Sequence, residues 1–262
     1  MKIATCTVSQ EGYEKPSGNN RRLSLLTEVL EYAKRRRISL VCLPAGYLTA
    51  SSNANRDSLI KKVVKVAKSH GVAIAVGIDV RIDVDQRRRS KRSIKKQSRK
   101  GSQYSLEKVQ RGSLPWFAAC WSPKENIVHC WRERSSNSND QWKISDAVCA
   151  EARTLPLGKY GVEVLMCGEV FNERIRNSVL SRRKGLIAAV DLGHYSEGFR
   201  VFAAMKVLAR GRLSTLCSVH TKREKAMKYC YLSGGRKKST RDFDAKFGLE
   251  PRIEVKVWNL PH

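Results

Sequence analysis

Thiols are the side chains of this 262-residue sequence best suited to covalent chemistry, because cysteine becomes a nucleophile wherever its surroundings favour the thiolate. Eight are present, at positions 6, 42, 120, 130, 149, 167, 217 and 230. None belongs to a CxxC or to a Cys/His cluster of zinc spacing, so no metal is expected. Nothing points to a cofactor either. Most sit inside apolar runs (LVCLP, FAACW, VLMCG, STLCS), where cysteine behaves as a small hydrophobe. Seven of the eight are therefore read as reduced, mostly buried thiols. A strand end is the other natural place for chemistry. The run LVCLPAGYL, residues 40–48, reads as a buried strand delivering its C-terminal end to a pocket. Pro44, Ala45 and Gly46 stand there, and none carries a reactive group.

Charge sets the chain apart. Fifty-one Lys and Arg against 24 Asp and Glu give +27, a field that attracts polyanions such as nucleic acid or acidic proteins. Nine basic residues crowd into 86–100, among them Arg87, Arg88, Arg89, Lys91, Arg92, Lys95 and Lys96. Like charges at that density repel, which predicts a basic, mobile insertion at about 86–112. Its RRRSKR also fits a nuclear-import signal. Only Tyr104 offers an aromatic there, so sequence-specific single-strand readout is not supported. No run of about 18 apolar residues exists to span a membrane, and MKIATCTVSQEG lacks the apolar core of a secretory signal. The expected location is intracellular: cytoplasmic, or nuclear in a eukaryote.

These groups must be held by a scaffold. KIATCTV, ISLVCLP, VAIAVGIDV, GVEVLMCGE, LIAAVDLG, LSTLCSVH and RIEVKVWNL read as strands. Leu23, Leu26, Val29, Leu30 and Ala33 recur at helical spacing, with Asn19 or Asn20 as the expected cap. SLIKKVVKVAKSHG is a second amphipathic helix stopped by Gly71. NERIRNSVLSRRKG, ending at Gly185, and EGFRVFAAMKVLARGR are two more. WFAACWSP and NIVHCWRER form a hairpin turning near Pro123–Asn126. The alternation predicts a single α/β domain over 1–262 whose hairpin makes the sheet mixed.

The order and spacing of KIATCTVSQ, NNRRLSLLTEVLEYAKRRRISLVCLP, VVKVAKSHGVAIAVGI, WSPKENIVHCWRE, YGVEVLMCGEVF and AAMKVLARGRLSTLCSVH resemble the carbon–nitrogen hydrolase (nitrilase) superfamily. The resemblance implies a four-layer α-β-β-α sandwich, commonly paired into homodimers through outer helices. It also implies a Glu–Lys–Cys triad that hydrolyses nitriles, amides and carbamoyl compounds. Cysteine attacks, glutamate carries the proton, and lysine helps hold the oxyanion. Cys167 falls on the nucleophile position and Glu169 on the acid two residues beyond it. The glutamate of the PE dipeptide is replaced by Ala45. The lysine position, after Trp131 and Arg132, holds Glu133, with Arg132 and Arg134 as the nearby cations. His220 stands where an asparagine often closes the late strand and is given no role.

Two functions follow. The first is a pseudoenzyme that keeps the fold and acts by binding, with nucleic acid or an acidic protein engaged through the basic run. The alternative is an active amidase-type hydrolase in which Glu133 or Glu169 replaces the missing base.

Overall fold

The computed structural model describes residues 1–9, 16–80, 116–135, 144–193, 199–210, 213–221, 228–232, 236–240, 243–249 and 251–260. The basic run with Arg87, Arg88, Arg89, Lys91, Arg92, Lys95 and Lys96 lies outside them.

Parallel strands β1 (Lys2–Ser9), β2 (Leu40–Ala50) and β3 (Ala73–Val80) are joined by helices α1 (Asn19–Arg35) and α2 (Asn53–His70). The hairpin β4 (Trp116–Trp121) and β5 (Val128–Arg132) extends this sheet antiparallel to β3. After the short α3 (Asp146–Ala150) come β6 (Thr154–Leu157), β7 (Tyr160–Met166), α4 (Glu173–Ser181), β8 (Leu186–Leu192), α5 (Phe199–Arg210) and β9 (Ser214–Thr221). Strands β10 (Lys228–Leu232), β11 (Arg236–Thr240), β12 (Ala245–Phe247) and β13 (Arg252–Asn259) complete the chain. The strands follow the order β5-β4-β3-β2-β1-β9-β8-β7-β6, and β1 is the seam, pairing β2 through Ile3–Thr5 and β9 through Thr7–Ser9.

Three apolar cores define four layers. Leu26, Val29 and Leu30 of α1 and Val63 and Ala67 of α2 pack on Val41, Leu43, Ile74 and Val76 of the first half-sheet. Leu40, Cys42, Ala73 and Ala75 turn the other way and meet Val162, Val164, Met166 and Val190 between the halves. Leu165 and Ala189 then face Ile175, Val179, Met205 and Leu208 of the outer helices. This is the expected α-β-β-α sandwich: strands covered on both faces read as continuous apolar runs, and successive residues alternate between two cores.

Three local expectations are corrected. Asn19 does not cap α1. Its Nδ2 donates to the Thr49 carbonyl (2.7 Å) and its Oδ1 accepts the Thr49 N–H (3.1 Å), so a tertiary bridge to β2 outcompetes the local cap. Cys130 is exposed rather than buried, on β5, the last strand in the order. The helix predicted to run to Gly185 stops at Ser181 and continues as a separate 3-10 turn over Arg183–Gly185. Gly71 does end α2, in the left-handed conformation at φ 67°.

Candidate functional site

Strand β7 is buried along its length apart from Tyr160, and it ends abruptly. At Cys167 the backbone turns to φ 33°, left-handed space that costs a non-glycine residue roughly 1–2 kcal/mol. The chain then enters a 3-10 turn over Cys167–Phe171, and Asn172 caps α4 by accepting the Ile175 N–H (3.2 Å). A strand-to-helix corner of this kind leaves consecutive amides without backbone partners. Here carboxyl groups take two of them, and a third carboxyl lies beside the amide between. Met166 N–H donates to Glu169 Oε2 (3.4 Å), and Gly168 N–H donates to Glu133 Oε1 (2.8 Å). The Cys167 amide lies close enough to the Asp191 carboxyl of β8 to lower its pKa against burial. Cys167 itself is half-buried, while Glu133, Glu169 and Asp191 lie at 3%, 0% and 3% exposure.

The three carboxyls differ in charge state for physical reasons. Burial alone would raise the pKa of Glu169, but Arg134 and then Arg153 outweigh it and hold the group below the usual carboxylate range. Arg134 binds it with a fork, Nε to Oε1 and Nη2 to Oε2 (both 3.1 Å), and its backbone N–H adds a third bond (2.7 Å). Arg153 Nη1 donates to Oε1 (2.9 Å). With the Met166 amide these make five donors around a group offering about four lone-pair sites, so Glu169 has no capacity left for a substrate proton. Among the described residues Glu133 has no cation of its own. Burial, then the negative charge of Glu169, push its pKa well above the ordinary carboxylate value against the pull of the Gly168 amide. Its Oε2 has no hydrogen-bond partner among the described residues. Asp191 is raised well above its usual range in the same way, by burial and then by Glu169. Asp79, at the end of β3, lies near enough to add to the field on Glu133.

Residues 133–135 thus cross from the first half-sheet to the turn of the second. Glu133 holds Gly168, Arg134 holds Glu169, and Ser135 Oγ accepts from Asn172 Nδ2 (3.3 Å). Arg132 is elsewhere: its guanidinium lies over the Phe117 ring, 5.0 Å from the centroid, and Phe117 belongs to the core beneath α2. Strand β2 does not end at Pro44, where its sequence predicts an end, but runs on to Ala50 past a register shift between Leu43 and Leu48. Within that bulge Ala45 is 1% exposed and lies in the same inter-sheet core as Met166. His220 Nε2–H donates to the Ala45 carbonyl (2.8 Å). The structure therefore brings Cys167, Glu169, Glu133 and Arg134 into one hydrogen-bonded cluster and places Arg132 outside it. Sequence reasoning missed Asp191, whose signal was a lone acid inside the apolar run LIAAVDLG, and it missed Arg153. Cys6 and Cys42 are set aside by burial, which pushes Cys6 up to about 12 and raises Cys42 further. Among the described residues no group of three or more His, Cys, Asp and Glu side chains is placed to hold a metal ion. No described helix is long and apolar enough to cross a membrane.

No family model matches the sequence, and no curated protein matches it. Solved structures do. A Nesterenkonia sp. amidase superposes with TM-score 0.60 at 12% identity, covering 98% of this chain and 90% of that one. A cysteine-to-alanine variant of the Nesterenkonia AN1 amidase, described as of the nitrilase superfamily, gives 0.61 at 11% over the same shares. A glutamate-to-glutamine variant of that amidase, carrying acrylamide added to its active-site cysteine, gives 0.61 at 11% and covers 100% of this chain and 93% of that one. The chain has the nitrilase-superfamily fold. At this identity the likeness speaks for architecture alone, and the chemistry has to be argued from the site.

Proposed function

We propose that this chain is a non-hydrolytic member of the nitrilase-like fold, a pseudoenzyme whose former site serves binding. One observation carries the reading: the amides on either side of Cys167 are occupied by carboxyl groups of the protein itself, and the Asp191 carboxyl lies against the Cys167 amide between them. Acyl transfer through a thiol builds negative charge on the attacked carbonyl oxygen, and catalysis needs preorganised donors or a cation for it. The Gly168 amide is spent on Glu133, the nearest guanidiniums are locked on Glu169, and the carboxyl groups bring no positive charge. Ala45 brings no base. Loss of base and cation together removes most of a triad's acceleration, since its members act as a unit.

The test is hydrolysis of a panel of aliphatic amides, nitriles and carbamoyl compounds by the wild type and by Cys167→Ser, with acrylamide labelling of Cys167 followed by intact mass. Turnover equal to the Cys167→Ser background, and labelling no faster than a free thiol, are expected. Any turnover that disappears with Cys167→Ser overturns the reading. A second reading, a hydrolase using Glu133 as proton carrier, draws on one fact: a buried acid of raised pKa bonded beside Cys167 is the kind of group general acid–base catalysis uses. It requires that Glu133→Gln abolish that turnover.

A further inference from the structure

Independently of the Cys167 site, a groove of about 530 Å³ runs between α2 and β5. Its floor is aliphatic, made by Ile60 and Val64 of α2 and by Val128, which is 42% exposed and followed outward by Ile127 at 53%. Its wall is a row of lysines, Lys61, Lys65 and Lys68, exposed on one face at i, i+4 and i+7. With 1.5 Å of rise per residue the row is about 10 Å long. The one acid at its edge, Asp57, is already paired to Arg56 (2.8 Å), so the wall keeps its positive sign.

We propose that this groove docks an acidic amphipathic helix of a partner protein. An apolar strip beside three cations at helical spacing is complementary to a helix with a leucine-type face and glutamates at i, i+4 and i+7. A single-headed amphiphile would satisfy only one of the three ammonium groups. A nucleic-acid strand would want exposed aromatic rings for its bases, whereas this floor is aliphatic and Trp121, under Lys68 Nζ at 6.0 Å, is 3% exposed.

The experiment is fluorescence anisotropy with a labelled amphipathic peptide of about five helical turns, leucine on one face and glutamate on the flank, at about 0.15 M salt to screen long-range attraction. The triple reversal Lys61→Glu, Lys65→Glu, Lys68→Glu should weaken binding by roughly 30-fold or more, and Val128→Asp by about tenfold. Val128→Ser should follow in the same direction if the aspartate harms folding. Reversal of Lys34, Arg35 and Arg36, exposed at the C-terminal end of α1, should change affinity by no more than about twofold, because these residues do not line the groove and salt screens exposed charges at a distance. Equal binding of a scrambled peptide of the same charge, or an equal loss from the α1 reversal, overturns the proposal in favour of unspecific attraction. Displacement by decanoate or oligothymidylate at concentrations comparable to the peptide, or a self-dimer abolished by Val128→Asp, overturns it in favour of those occupants.

Discussion

The bulge within β2 and the end of β7 are built alike and finished differently. Both strands run through the inter-sheet core, and both break their extended path with a left-handed residue, Gly46 at φ 70° and Cys167 at φ 33°. At β2 the break is closed by backbone. A Cβ on Gly77 would lie 2.2 Å from Ala45 Cα and 2.5 Å from the Pro44 carbonyl oxygen, and His220 ties down the Ala45 carbonyl from the far side. At β7 the break is closed by carboxyl groups: Glu169 of the turn itself and Glu133 from the other half-sheet take the amides flanking Cys167, and Asp191 of β8 lies against the amide between them. One break is sealed by steric fit and the other by electrostatics, so they should fail under different perturbations.

The largest effect is expected at β7. Glu169→Gln removes the anion that Arg134 and Arg153 share and should cost about 3–5 kcal/mol, as for breaking a buried ion pair, read from urea midpoints at pH 7. Because the folded pKa of Glu169 is depressed, its contribution is present above the ordinary carboxylate range and lost as pH falls through the lower folded value. The gap between variant and wild type should therefore narrow on acidification, and a pH-independent gap would mean that shape rather than charge seals this end.

Gly77→Ala comes next. It forces backbone apart at β2 and should cost on the order of 3 kcal/mol, with no pH dependence. Gly185→Ala, where an added Cβ meets nothing within 4 Å, should change stability by less than about 0.5 kcal/mol. Equal effects at the two glycines would refute steric closure.

The smallest effect separates two carboxyls of one cluster. Glu133 has a raised folded pKa, so between its ordinary and raised values the folded chain holds a proton that the unfolded chain has lost, and stability falls as pH rises. Glutamine cannot lose that proton. Glu133→Gln should match the wild type near pH 5 and exceed it at pH 8 by about 2–4 °C in Tm, a gain of roughly 1 kcal/mol for a chain of this length. Opposite pH slopes for Glu133→Gln and Glu169→Gln are the signature of the arrangement; parallel slopes would break it.

Much of the fold was legible because its strands and long helices carry strong periodicity over many residues. What escaped was short or decided at a distance. β6 spans only TLPL, and β11, RKKST, has no apolar pattern. Asn19 is a good cap by type, but its partner Thr49 is thirty residues away. At the site, Cys167 and Glu169 were readable as neighbours in one motif. The seal was not: Glu133 meets Gly168 across 35 residues and two half-sheets, and no local spacing encodes that meeting. Even the sign of the pKa shift on Glu169 depends on Arg134 and Arg153, which arrive from other segments.

The seam strand has a consequence for how the chain is made. β1 is buried from Ile3 to Val8, and it holds β2, β9 and β13 together. Cys6 N–H donates to Ser218 Oγ (3.2 Å), and Thr5 Oγ1 accepts from Trp258 Nε1 (2.8 Å). Two of its three partner strands are translated more than 200 residues after it. During synthesis, then, an apolar strand with β-forming sequence waits with one edge and its inner face unmatched, the situation in which nascent chains aggregate or recruit chaperones. The residue pairs that join the two half-sheets are thus among the last to form, and yield of soluble protein depends on how long β1 is kept waiting.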